Sequence, residues 1–282
     1  WDKDRIQQYQ FRKLKHLLVE SGENVPYYSN LFQEIGFNPA GDFNSIEDLE
    51  KIPVLTKAKA REFRHLLDNP KYAKRSIQMR TSGSTGQPFE VNVSKNAWVM
   101  EQAVVWRHWK WSGYNFRDKM AIVRSFVPGP DGKLTKKERL RNFLYFSPFH
   151  LNDENMASYL NKMIEEDVKV LRGYPSTIFI LANFVLRTNH KIPKLKLILV
   201  ASEELRDNDR TAIELAFRTK VTNHYGLAEI CVMMGDCGAH NGLHNYDEHA
   251  YLELLESEQE DRKRIIGTNL HNFATPLIRY DT

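Results

Sequence analysis

The stretch Arg80–Phe89, RTSGSTGQPF, decides how the chain is interpreted, because it combines small, polar and turn-forming residues. Gly83 and Gly86 permit positive φ angles and a close approach of a ligand to the backbone. Four hydroxyl groups can also donate to phosphate oxygens, those of Thr81, Ser82, Ser84 and Thr85. These residue types favour a phosphate-binding loop, and an ordinary polar connecting turn is the alternative.

The sequence around this loop predicts a sheet flanked by helices. Ser76–Arg80 alternates polar and apolar side chains as a strand does, and apolar and amphipathic runs then alternate along the chain. The predicted strands are 76–81, 119–125, 168–172, 196–201 and 220–224, and the predicted helices are 95–111, 153–166, 176–188 and 207–217. This alternation indicates an α/β fold with helices on both faces of the sheet, and with ligands at the carboxyl ends of the strands.

The two ends of the chain have a different character. Apolar residues at helical spacing predict a helix over 4–20, with Gly22 as its stop, in a mostly helical first quarter. Near the other end, 250–256 and 264–270 predict strands of a separate small sheet. We therefore expect three parts: a helical N-terminal segment (1–75), an α/β core with the candidate phosphate-binding loop (76–249) and a β-rich end (250–282).

Composition limits the classes of protein that fit. The chain has 282 residues, of which 41% are hydrophobic and 27% charged, as in globular domains. No apolar run approaches the ~18 residues that span a bilayer, so no transmembrane segment is expected. Two cysteines cannot form a disulfide framework, which favours a cytoplasmic location. The net charge is only +4, and we interpret the basic cluster 133–141 as solvated surface rather than a nucleic-acid site.

The motifs of the sequence resemble those of one enzyme superfamily. The Walker, dinucleotide-binding and hydrolase-elbow patterns do not occur, whereas Thr81–Pro88 (TSGSTGQP) resembles the phosphate-binding signature of the adenylate-forming superfamily, the acyl-CoA ligases and their relatives. Asn223–Glu229 (NHYGLAE) and Thr268–Tyr280 (TNLHNFATPLIRY) resemble two later elements of that superfamily. The last stretch, with Asn24–Tyr28 (NVPYY) and Ile52–Lys57 (IPVLTK), resembles the phenylacetate-CoA ligase and CapK-like branch.

The resemblance implies the fold and an activity. It implies an adenylate-forming large domain that uses ATP and Mg²⁺ to activate a small carboxylic acid as an acyl-adenylate. Transfer to coenzyme A or another acceptor would follow, either as in phenylacetate-CoA ligases or as in CapK-like proteins of polysaccharide biosynthesis. A nucleotide-binding regulatory or non-catalytic homologue is the alternative. No nucleic acid is expected as a partner, and a homodimer is left open.

The resemblance also raises an expectation about length. Relatives continue beyond the Ile278–Tyr280 stretch with Gly-Asp, whose Asp binds the ribose hydroxyls, whereas Asp281 and Thr282 follow here. The hinge and the small C-terminal domain with its lysine come next in relatives. We therefore expect this to be the large domain only, with weak nucleotide binding, slow adenylation and no acyl-CoA formation.

The resemblance implies that particular residues contact the nucleotide. The loop residues Thr81, Ser82, Gly83, Ser84, Thr85 and Gly86 would hold phosphates, and the residues Ser202, Glu203, Asn223, Tyr225 and Gly226 would surround the rest of the nucleotide. Tyr225 would stack on adenine, or else it is a core tyrosine. Glu229 would coordinate Mg²⁺, or else it is a surface glutamate at a helix start. Catalytic roles fall to Thr81, His224 and Glu229.

The acid pocket is indicated by two further segments. Gly173, Tyr174 and Pro175 match a family segment that lines the acyl site. His150 falls where relatives carry an aromatic residue that orients the acid, and a hydrogen-bonded loop histidine is the alternative. Trp98, Trp106 and Trp109 stand at helical spacing and are interpreted as core.

A zinc site is the last candidate. Cys231, Cys237, His240 and His244 place four potential ligands in fourteen residues, and zinc suits thiolate and imidazole. The spacing is irregular for a zinc finger. Two reduced cysteines in a β-rich loop are the alternative.

Overall fold

The computed structural model describes residues 2–81, 88–259 and 262–282. The chain divides into two compact units. The first comprises Trp1–Val105, Gly226–Met234 and Asn245–Thr282, and the second comprises Trp106–Tyr225 and Gly235–His244. This division differs from the three consecutive parts expected from composition, because both ends of the sequence pack together in the first unit.

The elements alternate as expected from the sequence. The helices are α1 (Lys3–Asn24), α2 (Pro26–Glu34), α3 (Pro39–Asp42), α4 (Lys57–Glu62), α5 (Lys95–Trp111), α6 (Asp153–Glu165), α7 (Pro175–Thr188) and α8 (Asp207–Phe217). The strands are β1 (Ser76–Arg80), β2 (Glu90–Ser94), β3 (Met120–Val123), β4 (Thr135–Glu138), β5 (Phe143–Phe146), β6 (Val170–Gly173), β7 (Leu197–Ala201), β8 (Val221–Gly226), β9 (Met233–Asp236), β10 (Leu243–Asn245), β11 (Ala250–Glu256), β12 (Lys263–Asn269) and β13 (Tyr280–Asp281). No helix among the described residues is long and apolar enough to cross a membrane.

The N-terminal helix is longer than the sequence predicted. Asp2 caps α1 by accepting a hydrogen bond from the backbone of Arg5, and the helix passes through Gly22 before it ends at Asn24. A Cβ at Gly22 would come within 3.0 Å of the Phe32 ring. Gly22 therefore serves close packing between α1 and α2, and the prediction that it stops the helix was wrong.

The strand that precedes the glycine-rich loop does not belong to the large sheet. β1 pairs antiparallel with β2, from Ser76 opposite Ser94 to Arg80 opposite Glu90, in a separate two-stranded sheet. The prediction that it opens the parallel sheet was wrong, because a connection this short permits a hairpin but not a parallel crossover. Most of the predicted phosphate-binding residues, Ser82, Gly83, Ser84, Thr85 and Gly86, lie outside the described residues.

The first unit also contains the predicted small terminal sheet. β11, β12 and β13 pair antiparallel in that order. Arg279, just before β13, forms a buried ion pair with Glu253 of β11 at 2.7 Å and donates to the carbonyl of Ile52 at 2.6 Å. This arginine thus links the terminal sheet to the N-terminal segment.

The large sheet has the order β10–β9–β8–β7–β6–β3–β5–β4. Strands β8, β7, β6, β3 and β5 run parallel, and β4 adds an antiparallel edge. The predicted strands that follow residue 100 are confirmed within two residues, and α5 to α8 within one residue of the predicted bounds. Helices α6, α7 and α8 cover one face of this sheet through a hydrophobic core of aliphatic and aromatic side chains. The fold is the predicted α/β class.

Candidate active site

Four neighbouring parallel strands of the second unit end at one edge of the sheet. In register, Val123 of β3 lies beside Gly173 of β6, Gly173 beside Val200 of β7, and Val200 beside Asn223 of β8. The carboxyl ends of parallel strands are where ligands bind in open α/β sheets. The predicted residues that follow β6 and β7, and those in β8, therefore share one edge, as the sequence indicated.

Side chains at this edge are joined by an arginine that the motifs did not identify. Arg124 follows β3 and donates to the hydroxyl of Ser202 at 3.1 Å. Its guanidinium lies 5.0 Å from the ring centre of Tyr174, whose hydroxyl is 2.7 Å from that of Ser125. Arg124 thereby connects the ends of β3, β6 and β7.

A second arginine and two histidines lie on the sheet face opposite the hydrophobic core that α6, α7 and α8 cover. The guanidinium of Arg172 lies 4.5 Å from the ring of Trp109 at the end of α5. His224 lies beside His108 of the same helix, with 5.8 Å between ring centres. We call Arg124, Arg172, Tyr174, Ser202 and His224 the strand-edge cluster.

Burial sets the charge states in the strand-edge cluster. It lowers the pKa of Arg172 to about 9, and neighbouring Arg124 acts in the same direction. It also holds the pKa of His224 well below its usual value, with further lowering from Arg172, His108 and Arg124. His224 is therefore neutral at pH 7, and its buried Nδ1 has no hydrogen-bond partner in the described part of the chain.

Three of the predicted residues have clear structural contacts. A Cβ on Gly173 would come within 2.6 Å of Ile178 and 3.0 Å of the Val123 carbonyl oxygen, so glycine allows α7 to pack on β6. Pro175 begins α7, where its missing N–H costs nothing. Glu203 accepts a hydrogen bond at 3.1 Å from the backbone of Ser176 in the first turn of that helix.

The residues of β8 are placed at the same edge. Asn223 and Tyr225 are half-buried, and the side-chain oxygen of Asn223 has no hydrogen-bond partner among the described residues. An unpaired buried amide oxygen can accept a hydrogen bond from a ligand. The contacts predicted for Asn223, Tyr225 and Gly226 with a nucleotide stay predictions.

His150 lies in the loop after β5 and is exposed. Its Nδ1 is 2.9 Å from the hydroxyl of Ser147. This is the contact that the loop-histidine alternative predicts. A role for His150 in orienting the acid stays a prediction without a supporting contact.

In the first unit, the predicted metal ligand Glu229 is a buried carboxylate with two partners. Its side chain is 2% exposed, Lys57 Nζ lies 3.0 Å from Oε1, and the Tyr280 hydroxyl donates to the same oxygen at 3.0 Å. Burial raises the pKa of Tyr280, and the Glu229 charge acts in the same direction. Three separate motif segments thus meet at one carboxylate, which excludes the surface-glutamate alternative.

The backbone around Glu229 is held by the late motif. Ile230 has a φ of 51°, which is unusual for a β-branched residue and needs support from its surroundings. Asn269 supplies it by donating to the carbonyl of Ile230, while its own oxygen accepts from the backbone of His271 and Asn272. The asparagine of the motif therefore fixes the turn that follows Glu229.

Thr81 lies at the described end of the glycine-rich loop. Its hydroxyl accepts a hydrogen bond from the backbone of Phe89 at 2.8 Å, and its N–H donates to the Phe89 carbonyl at 2.9 Å. Phe89 stacks on Tyr280 with 6.3 Å between ring centres. Thr81 thus closes the base of the hairpin, and its catalytic role stays a prediction.

Glu229 fits Mg²⁺ as a single carboxylate ligand. In nucleotide sites Mg²⁺ takes one or two carboxylates, with phosphate oxygens and water completing its shell. Lys57 pairs with the same carboxylate but is 39% exposed, so its ammonium can turn to solvent when a cation competes. The donor set is therefore compatible with the predicted metal.

The zinc prediction finds no support. Cys231 is buried in the first unit, where the Gly267 backbone packs so tightly that an added Cβ would lie 2.7 Å from the Cys231 carbonyl oxygen. Cys237 is exposed in the second unit, and His240 Nδ1 lies 3.1 Å from Asp236. Across the described ranges no three His, Cys, Asp or Glu side chains form a group that could hold a metal ion, and His244 is among the residues searched.

Comparison with known proteins gives distant but extensive similarity. No family model matches the chain. It is 24% identical over 307 residues to a phenylacetate-coenzyme A ligase of Pseudomonas putida, a match that covers 99% of this chain and 66% of that protein. It is 24% identical over 267 residues to protein CapK of Staphylococcus aureus, covering 92% of this chain and 58% of CapK. The chain thus spans between 58% and 66% of the length of these two curated relatives.

Solved structures match the same fold. A 2-hydroxyisobutyryl-CoA ligase in complex with 2-HIB-AMP and CoA has a TM-score of 0.75 at 18% identity, covering 97% of this chain and 63% of that one. The same enzyme in the thioesterification state also gives a TM-score of 0.75, at 19% identity, with 99% and 63% covered. The resemblance predicted from the motifs is confirmed: over nearly its whole length, this chain is similar to phenylacetate-CoA ligases and CapK, and it has the fold of adenylate-forming CoA ligases.

Proposed function

We propose that this chain carries the acid-activating part of an AMP-forming acid–CoA ligase. The observation that carries the proposal is the buried carboxylate of Glu229, which joins Lys57 and Tyr280 from two other motif segments. Similarity to phenylacetate-CoA ligases supports the same reaction class. In this reaction a carboxylate oxygen attacks the α-phosphorus of ATP, and the bond to the leaving pyrophosphate breaks.

Separate residues would supply the parts of this chemistry. Asn223, Tyr225 and Gly226 would hold the nucleotide at the strand edge, and Glu229 would hold Mg²⁺, which neutralises phosphate charge when bound. In the second half-reaction a thiol sulfur, such as that of coenzyme A, attacks the acyl carbon and AMP leaves. Orientation and electrostatic stabilisation are the contributions that such transfers require from a protein.

Exchange of labelled pyrophosphate into ATP tests the proposal. The exchange should depend on Mg²⁺ and on an added acid, and a panel of acids would identify the substrate. Pyrophosphate exchange in the absence of any acid would contradict acid activation by this chain. So would the absence of exchange with every acid of a broad panel while the chain still binds ATP.

A nucleotide-binding homologue without turnover is the second candidate. The observation in its favour is the ion pair between Lys57 and Glu229, which engages the carboxylate that Mg²⁺ would need. This candidate predicts ATP or AMP binding that Mg²⁺ does not strengthen. Calorimetric titration with and without Mg²⁺ separates it from the first.

A further inference from the structure

The strand-edge cluster contains two arginines that have no carboxylate partner in the part of the chain that the structure describes. The polar contact of Arg124 is the hydroxyl of Ser202, and Arg172 stacks on Trp109 with a buried Nε that lacks a hydrogen-bond partner. The Nε of Arg172 is buried, whereas Arg124 is only partly buried. A cation held away from water without a counter-charge is costly, so Arg172 above all indicates that an anion completes the site.

Nearby acidic groups are engaged elsewhere. Asp236 pairs with Arg210 at 3.0 Å, and Glu203 accepts from the first turn of α7 at 3.1 Å. Glu138 accepts from the Tyr145 hydroxyl at 3.1 Å. None of these three carboxylates forms an ion pair with Arg124 or Arg172 in the described part of the chain.

The aromatic neighbours leave the arginines able to bind. Arg124 lies over Tyr174 and Arg172 over Trp109. Stacking uses the face of a guanidinium and leaves its in-plane N–H groups free to donate, often as two parallel bonds to one carboxylate. The neutral His224, with an unpaired buried Nδ1, adds a further polar group on the same sheet face.

From this geometry we infer that the strand-edge cluster binds the second anionic group of a doubly charged acid, a dicarboxylate being the simplest. The inference rests on the proposed function and narrows its substrate class. Adenylation removes the charge of the reacting carboxylate, so in the product that group can no longer pair with an arginine. Arg172 also lies one residue inside the end of β6, beside Leu199, which is deeper than the strand edge.

Equilibrium binding with matched probes tests this inference. Succinate and terephthalate would be titrated by calorimetry against their monoamides, succinamate and 4-carbamoylbenzoate, which keep one carboxylate and nearly the same shape. The diacids should bind at least about tenfold more tightly, because hydrogen bonds between two charged groups are stronger than those to a neutral amide. Equal binding of diacid and monoamide would overturn the inference.

Arginine variants locate the effect. Arg172→Gln and Arg124→Gln should each remove most of the preference for diacids, whereas Arg187→Gln, an exposed control paired with Asp153, should keep it. Circular dichroism checks folding, and Arg124→Gln keeps the test valid if the buried variant does not fold. Preference retained in a folded Arg124→Gln variant would overturn the inference.

Two further titrations separate this inference from the proposed function and from phosphate binding. If pyrophosphate displaces the diacid, and if both arginine variants lose pyrophosphate binding, the arginines belong to the nucleotide phosphates. That result would overturn the inference. ATP binding without a diacid preference would overturn the inference alone. A diacid preference without ATP binding would support the anion site and contradict the proposed function.

Discussion

At the scale of single residues, a substitution of Glu229 is the most direct test of the proposed function. Glu229→Gln keeps the shape of the side chain but removes the charge that pairs with Lys57 and would bind Mg²⁺. We expect acid-dependent pyrophosphate exchange to fall by at least about a hundredfold, because a catalytic metal contributes several kcal/mol and each 1.4 kcal/mol is a factor of ten.

The matched control for that substitution is Glu256→Gln, which changes an exposed glutamate paired with Lys263 on the terminal sheet. It should leave exchange unchanged. Near-normal exchange in a folded Glu229→Gln protein would remove this residue from the catalytic site.

The buried histidines predict a pH dependence of stability. Burial lowers the pKa values of His224 and His108 in the folded chain. The unfolded chain then binds more protons as the pH falls below the ordinary histidine pKa of about 6.5, so stability present above that pH is lost on acidification. Urea unfolding should give a smaller free energy at pH 5.5 than at pH 7.5.

His224→Asn should reduce this difference, because the substitution removes one of the depressed groups. His150→Asn is the control, since that imidazole is exposed. If the free energy of unfolding changes between pH 5.5 and pH 7.5 by the same amount in His224→Asn and in the control, the titrating groups lie elsewhere.

At the scale of elements, the contact between β6 and α7 depends on Gly173. An added methyl group would lie 2.6 Å from Ile178 and 3.0 Å from a backbone oxygen, and the backbone oxygen has little room to move. Gly173→Ala should lower the free energy of unfolding by roughly 1–3 kcal/mol, the usual cost of overpacking. Chemical denaturation measures it, with Gly238→Ala as the control, because nothing lies within 4 Å of a Cβ there. Equal stability of the two variants would contradict the packing argument.

Elements with continuous or periodic apolar patterns were the predictable part of this fold. Strands β3, β6, β7 and β8 and helices α5 to α8 lie close to their expected positions, because the buried side chains of each element follow its own period. Pairing was not predictable from such patterns. The partner of β1 is β2, a strand that the sequence analysis did not predict, so the hairpin was missed.

The candidate site likewise contains residues that the sequence identified and residues that it did not. Glu229 and the residues of β8 could be named as candidates because they stand in motifs with fixed spacing. Tyr280 and Lys57 also stand in motifs, but their contacts with Glu229 were not predicted. Arg124 and Arg172 could not, since each is a single arginine after or within a strand. Trp98 was expected in the core and is 39% exposed, because helical spacing identifies a face of α5 but not how far along the helix the core extends.

At the scale of the whole molecule, Arg279 ties distant segments of the first unit together. It pairs with Glu253 and donates to the carbonyls of Ile52 and Glu50. Arg279→Lys keeps the charge but loses the planar set of donors. We expect a loss of roughly 1–3 kcal/mol in the free energy of unfolding, the usual cost of leaving a buried carbonyl without its donor.

Thermal and urea unfolding of the variant would measure that loss, with Arg264→Lys as the control, because Arg264 pairs with Asp281 near the surface. A change below about 1 kcal/mol, the usual worth of an exposed pair, would show that the carbonyl contacts of Arg279 add little.

The first unit is assembled from both ends of the sequence, and this affects the order in which a ribosome can complete the fold. The hydroxyl of Tyr28 donates to the Pro276 carbonyl and accepts from the Ile278 backbone, so α2 lacks these partners until residue 278 has been synthesised. Residues 106–225, the main part of the second unit, emerge earlier. Protease resistance in stalled nascent chains should therefore arise first in residues 106–225. Until the later segments are synthesised, the N-terminal helices keep apolar faces exposed and depend on chaperones.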